Sequence, residues 1–200
     1  MKVAIDVDAV LLDYEKDFYA TAEIFDIERC RGNGIIYPDE LYIQNKYDWK
    51  EEEKRTFLKE KLADLSKNAT IMPKASYVIK KLKNKNIEFI IVSARGSEGK
   101  EQIDIVMNKF LECDLTFEKY YWNCKDKLKI CREENVDFII DDSPSVIEET
   151  SSNQIKSIYF RGITGYNIQY SKYVFEVNNW GSVYRILIKY AQKGSNKNGK

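Results

Sequence analysis

The sequence predicts a three-layer α/β domain built on a mostly parallel sheet, with a small helical cap inserted near its start. Three observations carry this. Short apolar runs recur along the chain and are continuous rather than alternating, as strands covered on both faces require. Amphipathic helical patterns separate them, the alternation that yields a parallel sheet. One interval, from Tyr14 to Ile71, is far longer than the roughly twelve residues a crossover needs, and it carries aromatic and charged helical sequence.

Val3-Ala4-Ile5 is the first expected strand, and the acidic pair Asp6-Val7-Asp8 stands on its exit. Within the cap, residues 14–71, the stretches Asp17 to Ile27 and Trp49 to Leu65 read as helices, with turns at Gly32-Asn33-Gly34 and Pro38-Asp39. Pro73 marks the return to the core, in the first turn of a helix whose Ala75, Val78, Ile79 and Leu82 share a face. The strand Phe89-Ile90-Ile91-Val92 then ends on Ser93. A helix with Ile103, Val106, Met107, Phe110 and Leu111 on one face follows, and helical character returns from Lys127 to Glu134. Phe138-Ile139-Ile140 ends on Asp141-Asp142, and further strands are expected at Ile158-Tyr159-Phe160 and Tyr173-Val174-Phe175. Residues 1–13 and 72–193 thus form a Rossmann-like core, while 194–200, with nothing apolar to bury, reads as a disordered tail.

Composition narrows the chemistry. Lys plus Arg and Asp plus Glu are equal at 32 each, so no nucleic acid polymer or anionic membrane is expected as a partner. The absence of histidine removes Ser/His/Asp and Cys/His catalysis and histidine-ligated zinc, leaving acid–base work to carboxylates or lysines. Cys30, Cys113, Cys124 and Cys131 form no CxxC pair, which suits a reduced, cytoplasmic chain. That setting is also expected because the first residues enter a strand directly and no apolar run approaches the roughly 20 residues of a membrane span.

In a parallel α/β sheet, ligands bind beyond the carboxyl ends of the strands. Asp6 and Asp8, Ser93, Lys127, and Asp141 with Asp142 fall there or on the following helix. Magnesium takes hard oxygen ligands, which Asp6 and Asp141 can supply, with Asp142 direct or through water. Asp6 and Asp8 can address one phosphorus from different sides, one attacking while the other handles protons. Ser93 and Lys127 would then hold phosphoryl oxygens. Lys125 and Lys129 compete with Lys127 for that role, and Arg95 reads either as a substrate contact or as a surface ion pair.

The ordered set Asp6-Val7-Asp8-Ala9-Val10, Ser93 after Ile90-Ile91-Val92, Lys127, and Ile139-Ile140-Asp141-Asp142 resembles the four motifs of haloacid dehalogenase-like phosphatases. Val92-Ser93-Ala94-Arg95, Lys125-Asp126-Lys127, Asp141-Asp142-Ser143-Pro144 and Asn179-Trp180-Gly181-Ser182-Val183-Tyr184 are similar to the small 5′(3′)-deoxyribonucleotidase-like group. The resemblance implies Asp6 as nucleophile and metal ligand, and Asp8 as acid/base with its backbone carbonyl also on Mg²⁺. It further implies Asp141 and Asp142 as metal ligands, and Ser93, Ala94, Arg95 and Lys127 around the substrate phosphate. Asp8 places the chain with phosphatases rather than dehalogenases. Ala9 and Val10 stand where relatives often carry glycine and threonine, and the Ala9 methyl near the expected phosphate loop predicts slow turnover.

The expected activity is therefore Mg²⁺-dependent hydrolysis of a small phosphorylated metabolite through an aspartyl-phosphate, with a nucleoside monophosphate favoured. A sugar-phosphate phosphatase and a catalytically silent nucleotide- or protein-binding relative are the alternatives, and a homodimer is left open. A receiver-type signalling domain is disfavoured because Lys127 precedes Asp141-Asp142. Phe18, Phe25, Tyr37, Tyr42, Tyr47 and Trp49 of the cap either stack a nucleobase or form a small helical core. Trp180 is expected to pack the last helix on the sheet.

Overall fold

The structure is a computed structural model that describes residues 1–96, 99–162 and 166–197, with side chains through Gln192. In chain order it holds β1 (Lys2–Ile5), β2 (Leu12–Asp13), α1 (Glu15–Arg29), a 3₁₀ turn (Ile43–Asn45), α2 (Glu51–Asn68), β3 (Thr70–Ile71), α3 (Ala75–Lys83) and β4 (Glu88–Val92). There follow α4 (Lys100–Glu112), β5 (Lys119–Tyr121), α5 (Lys127–Glu133), β6 (Phe138–Asp141), α6 (Pro144–Ser152), β7 (Lys156–Phe160), β8 (Val174–Val177) and α7 (Trp180–Lys197).

Six strands form one sheet in the order β5-β4-β1-β6-β7-β8, with every pairing parallel. The continuous apolar runs have the two-sided burial that such a sheet demands. Val3, Ile5, Phe89, Ile91, Phe138 and Ile140 face one core with α3 and α7, while Ala4, Ile90, Val92 and Ile139 face another with Cys131 of α5. The chain order places β1 between β4 and β6, so the exits of these three strands lie side by side.

The short antiparallel pair β2–β3 brackets α1 and α2, with Leu12 opposite Ile71. Between these helices Ala22, Phe25, Ile43, Tyr47, Trp49 and Phe57 form a separate small core. Asp26 lies wholly buried beneath it, yet it accepts from Trp49 Nε1 at 2.7 Å and from Gly34 N at 2.8 Å, so its carboxylate is satisfied. Gly34 has φ +72°, the conformation that lets its N–H turn back to this carboxylate.

Three expectations change. Pro73 lies ahead of α3 rather than in its first turn, because Lys74 takes φ +69° and the helix begins only at Ala75. Leu111 is exposed, leaving Val106 and Phe110 as the buried stripe of α4. The last helix continues to Lys197, so it takes in the backbone of residues 194–197, where a tail was expected. A lone Gly194 costs a helix only about 1 kcal/mol, and the apolar face through Val183 and Leu187 is anchored in the core. Residues 198–200 of the expected tail lie outside the described residues.

Trp180 packs α7 against the sheet as expected and does more: its buried indole N–H donates to the carbonyl of Val10 at 2.9 Å, tying the helix to the loop after β1. Trp180→Phe keeps most of the apolar volume but strands that carbonyl. It should destabilise the fold by about 1–3 kcal/mol in urea unfolding. An unchanged midpoint would show that the bond contributes nothing.

Candidate active site

Asp6 follows β1 and its backbone N–H donates to Ile140 at 2.9 Å, so the β1 exit is locked to β6. The chain then turns sharply, with the amides of Leu11 and Leu12 both donating to the carbonyl of Val7 at 2.9 Å. Ala9 sits inside this turn at φ +54°. A left-handed position normally favours glycine, so an alanine here carries backbone strain of about 1 kcal/mol as well as its methyl group.

Lys127, the first residue of α5, is buried and stands between two carboxylates. Its Nζ lies 2.7 Å from Asp141 Oδ2 and 2.9 Å from Asp6 Oδ1. The approach to Asp6 is an ion-pair contact outside hydrogen-bond geometry, and Asp6 Oδ1 has no hydrogen bond among the described residues. Asp126 caps α5 by accepting from Lys129 N at 2.8 Å, which fixes where Lys127 emerges. Of the three lysines, Lys127 stands between the carboxylates, whereas Lys125 is exposed on the cavity rim and Lys129 lies 3.9 Å from Glu133.

Asp141 ends β6 with no exposed surface, and its Oδ1 accepts from Ser143 N at 2.9 Å. Burial pushes its carboxyl up to about 6, against the opposing pull of Lys127. Burial also raises Asp142 well above the ordinary range, with Asp141 and Asp6 adding to the effect. Burial would lower the Lys127 ammonium, but Asp141 and Asp6 outweigh it and raise its pKa.

Asp8 points elsewhere. Its carboxylate takes both ends of the Arg95 guanidinium, with Nε 3.0 Å from Oδ1 and Nη2 closer still. Burial raises the Asp8 carboxyl while Arg95 opposes this. Arg95 also donates from Nη1 to Ser66 of α2 at 2.8 Å and to Gln102 of α4 at 3.2 Å. Arg95 is thus buried in an ion pair that joins the β1 loop to the inserted segment, a role between the surface pair and the substrate contact that its sequence suggested. Ser93 is buried and its hydroxyl accepts from Arg95 N at 3.3 Å; Ala94 beside it borders the cavity.

A cavity of about 510 Å³ opens over these groups, bordered by Asp6, Asp8, Lys127, Asp141 and Asp142 on the sheet side. Phe18 and Tyr42 form part of its opposite wall, whereas Phe25, Tyr47 and Trp49 belong to the small core and Tyr37 is exposed. Sequence reasoning missed Tyr14, Tyr19, Tyr159 and Tyr166, which also line the cavity. It missed Lys46 too, buried behind that wall with Nζ 2.5 Å from the Pro38 carbonyl and 2.8 Å from Tyr166 Oη. Tyr166 Oη in turn donates to the Glu40 carbonyl. None of these sits in a local motif, and only the folding of the insertion over the sheet brings them together.

No sequence-family model matches the chain, and no curated protein matches it either. Solved structures do. A haloacid dehalogenase-like family hydrolase from Streptococcus pneumoniae superposes with a TM-score of 0.64 at 13% identity, over 92% of this chain and 97% of that one. A β-phosphoglucomutase from Clostridium difficile gives 0.58 at 19% identity over 98% and 97%. A predicted phosphoglycolate phosphatase from Haemophilus somnus gives 0.61 at 12% identity over 92% and 96%. The chain has the haloacid dehalogenase-like fold. Among the described residues of this fold, no helix is long and apolar enough to cross a membrane.

In this haloacid dehalogenase-like fold, carboxylate oxygens of Asp6, Asp141 and Asp142 lie within 4.8 Å of one another. Three acids against one buried ammonium, with Asp6 Oδ1 lacking a hydrogen bond, fit a hard divalent cation such as Mg²⁺. The side chain of Asp8 stands outside that group. Because the Asp141 pKa rises from 3.8 to about 6 on folding, its contribution to stability is full below pH ~4 and is lost as the pH climbs through ~6. A bound cation should offset this loss. At pH 7, Mg²⁺ at a hundred times its Kd should add about 2.7 kcal/mol by thermal unfolding, and Asp142→Asn should remove most of the gain. An equal response in both proteins would place the cation elsewhere.

Proposed function

We propose that the protein is a Mg²⁺-dependent phosphomonoester hydrolase acting on a small phosphorylated metabolite. The observation that carries the reading is the Lys127 ammonium 2.9 Å from Asp6 and 2.7 Å from Asp141, at the floor of a cavity large enough for one small ester. The fold it shares with a Streptococcus pneumoniae hydrolase supports it.

Asp6 is the proposed nucleophile. A carboxylate oxygen of Asp6 attacks phosphorus, the bond from phosphorus to the ester oxygen breaks, and Asp8, in the protonated form that its burial favours, gives that proton to the departing alcohol. Asp8 then takes a proton from water, the water oxygen attacks the phosphorus on Asp6, and phosphate leaves with the Asp6 carboxylate restored. Lys127 stabilises the phosphoryl oxygens as charge shifts onto them, and the hydroxyl of Ser93 with the backbone beside Ala94 closes the same end of the site. Asp6, Asp141 and Asp142, with the Asp8 carbonyl, would hold the metal, which supplies further charge stabilisation when bound. Arg95 orients the Asp8 carboxylate rather than meeting phosphate itself. The inserted segment 14–71 acts as the cap that keeps bulk water from the phosphoenzyme.

A nucleoside monophosphate is the favoured substrate. Tyr14, Phe18 and Tyr42 offer flat faces to a base, and the Ser93-Ala94-Arg95 and Asp141-Asp142-Ser143-Pro144 motifs resemble deoxyribonucleotidase-like enzymes. A sugar phosphate is the second reading, favoured by likeness to a β-phosphoglucomutase. The free cysteines Cys30, Cys113, Cys124 and Cys131 suit a cytoplasmic setting.

Phosphate release from a panel of nucleotides and sugar phosphates, with and without Mg²⁺, tests this reading. Asp6→Asn should remove turnover, Asp8→Asn should lower kcat by about 10²–10⁴, and Ala9→Gly should raise it or leave it unchanged. Turnover that survives Asp6→Asn, or none from the wild type on any ester, would reject the mechanism.

A further inference from the structure

Among the described residues, the Asp8 carboxylate accepts hydrogen bonds from one group alone, the Arg95 guanidinium. Asp8 Oδ1 receives Nε at 3.0 Å and the closer Nη2, while Oδ2 has a single longer contact, to Nε at 3.2 Å. Oδ2 is therefore the oxygen left to carry a proton, and its direction follows from that of Arg95. Asp8 borders the cavity, whereas Arg95 is buried and does not.

Arg95 is in turn aimed from its other end. Its Nη1 donates to Ser66 Oγ at 2.8 Å and to Gln102 Oε1 at 3.2 Å, and those two oxygens lie 3.2 Å apart. Ser66 stands near the end of α2 and Gln102 in the first turn of α4, so the pair spans the seam between the insertion and the core. Beside it, Lys109 Nζ donates to the Lys67 carbonyl at 2.7 Å and Lys67 pairs with Glu101 at 3.6 Å, which fastens the two helices together. A buried guanidinium needs acceptors, and that alone would explain two polar side chains at this seam. It does not explain why both are neutral. Glu101 is exposed, and Asp8 is the only acid paired with Arg95 among the described residues. A second acid on Nη1 would draw the guanidinium away from Asp8.

We propose that Ser66 and Gln102 are positioning residues for the acid/base Asp8, acting through Arg95: as neutral acceptors they fix the guanidinium without competing for its charge, and Ser66 makes the aim of Asp8 depend on a seated insertion. The inference rests on the hydrolase reading and deepens it by naming how the inserted segment enters the chemistry. A displacement of about 1 Å in a reacting group can cost about a hundredfold in rate, so the effect falls on the step in which Asp8 protonates the departing alcohol. Neither Ser66 nor Gln102 borders the cavity, so neither meets the substrate itself.

Two esters separate this role from a structural one. Benzyl phosphate releases an alcohol that needs a proton as it departs, whereas 4-nitrophenyl phosphate releases a stable anion that does not. Their kcat/KM values in Mg²⁺ are compared for wild type, Gln102→Glu, Gln102→Met and Ser66→Ala, with the fold followed by thermal unfolding, and a crystal structure of Gln102→Glu is solved. Gln102→Glu should keep the wild-type Tm or exceed it and turn Arg95 from Asp8 toward the new carboxylate. It should lower kcat/KM about tenfold or more for benzyl phosphate and less than about threefold for the nitrophenyl ester. Gln102→Met and Ser66→Ala should shift the ratio of the two esters the same way by about threefold. This ratio does not depend on the folded fraction, so a purely structural loss would leave it unchanged. A wild-type ratio in every variant, or an Arg95 that keeps both nitrogens on Asp8 in Gln102→Glu, would overturn the positioning role and leave the hydrolase reading intact. No phosphate release from either ester by the wild type would reject the hydrolase reading, and the place of Arg95 in Gln102→Glu would then decide by itself whether Gln102 sets the Arg95–Asp8 pairing.

Discussion

A single buried ammonium governs the carboxyl end of this sheet. Lys127 is confined between Asp6 and Asp141, two acids delivered by neighbouring strands, and Asp142 adds a third carboxylate to the same few ångströms. Burial, with repulsion from the neighbouring acids adding to it and Lys127 opposing it, drives Asp141 and Asp142 toward their protonated forms. Breaking such a buried pair by removing one partner costs about 3–5 kcal/mol, so the arrangement constrains the fold as much as the chemistry. The β1–β6 pairing, the Asp126 cap and the Asp6 amide bond to Ile140 are all consequences that hold these groups in register.

Polar ties hold the inserted segment against the core. Arg95 reaches from the exit of β4 to Asp8 and on to Ser66 of α2 and Gln102 of α4, so one guanidinium joins the β1 loop to the insertion and to the core. On the far side Lys46 and Tyr166 make a second bridge, tying the 3₁₀ region of the insertion to the loop after β7. Between these two polar ties the insertion has its own aromatic core, which makes it a stiff wall rather than a loose strap. Opening the cavity would require one or both ties to break.

The layered fold was legible because parallel strands buried on two faces write continuous apolar runs, as in Phe89-Ile90-Ile91-Val92 and Phe138-Ile139-Ile140. Strand β5 was not legible: Lys119-Tyr120-Tyr121 is an edge strand, only partly buried, with no continuous run to announce it. The acids and Lys127 could be found because each stands at the end of a recognisable strand or helix. Arg95's partner could not, since a pair 87 residues apart leaves no local trace. The same holds for the cavity tyrosines, which only the folding of the insertion over the sheet brings together. Local periodicity also overstated the buried face of α4, where Leu111 follows the pattern yet faces solvent.

The central claim is that Asp6 carries the phosphoryl group. Rapid quenching of wild-type protein turning over a phosphomonoester in Mg²⁺, followed by peptide mass spectrometry, tests it directly. The account predicts a phosphoryl adduct on the peptide containing Asp6, labile to hydroxylamine and absent from Asp6→Asn. Steady turnover with no adduct on Asp6, or with the adduct on another residue, would contradict it.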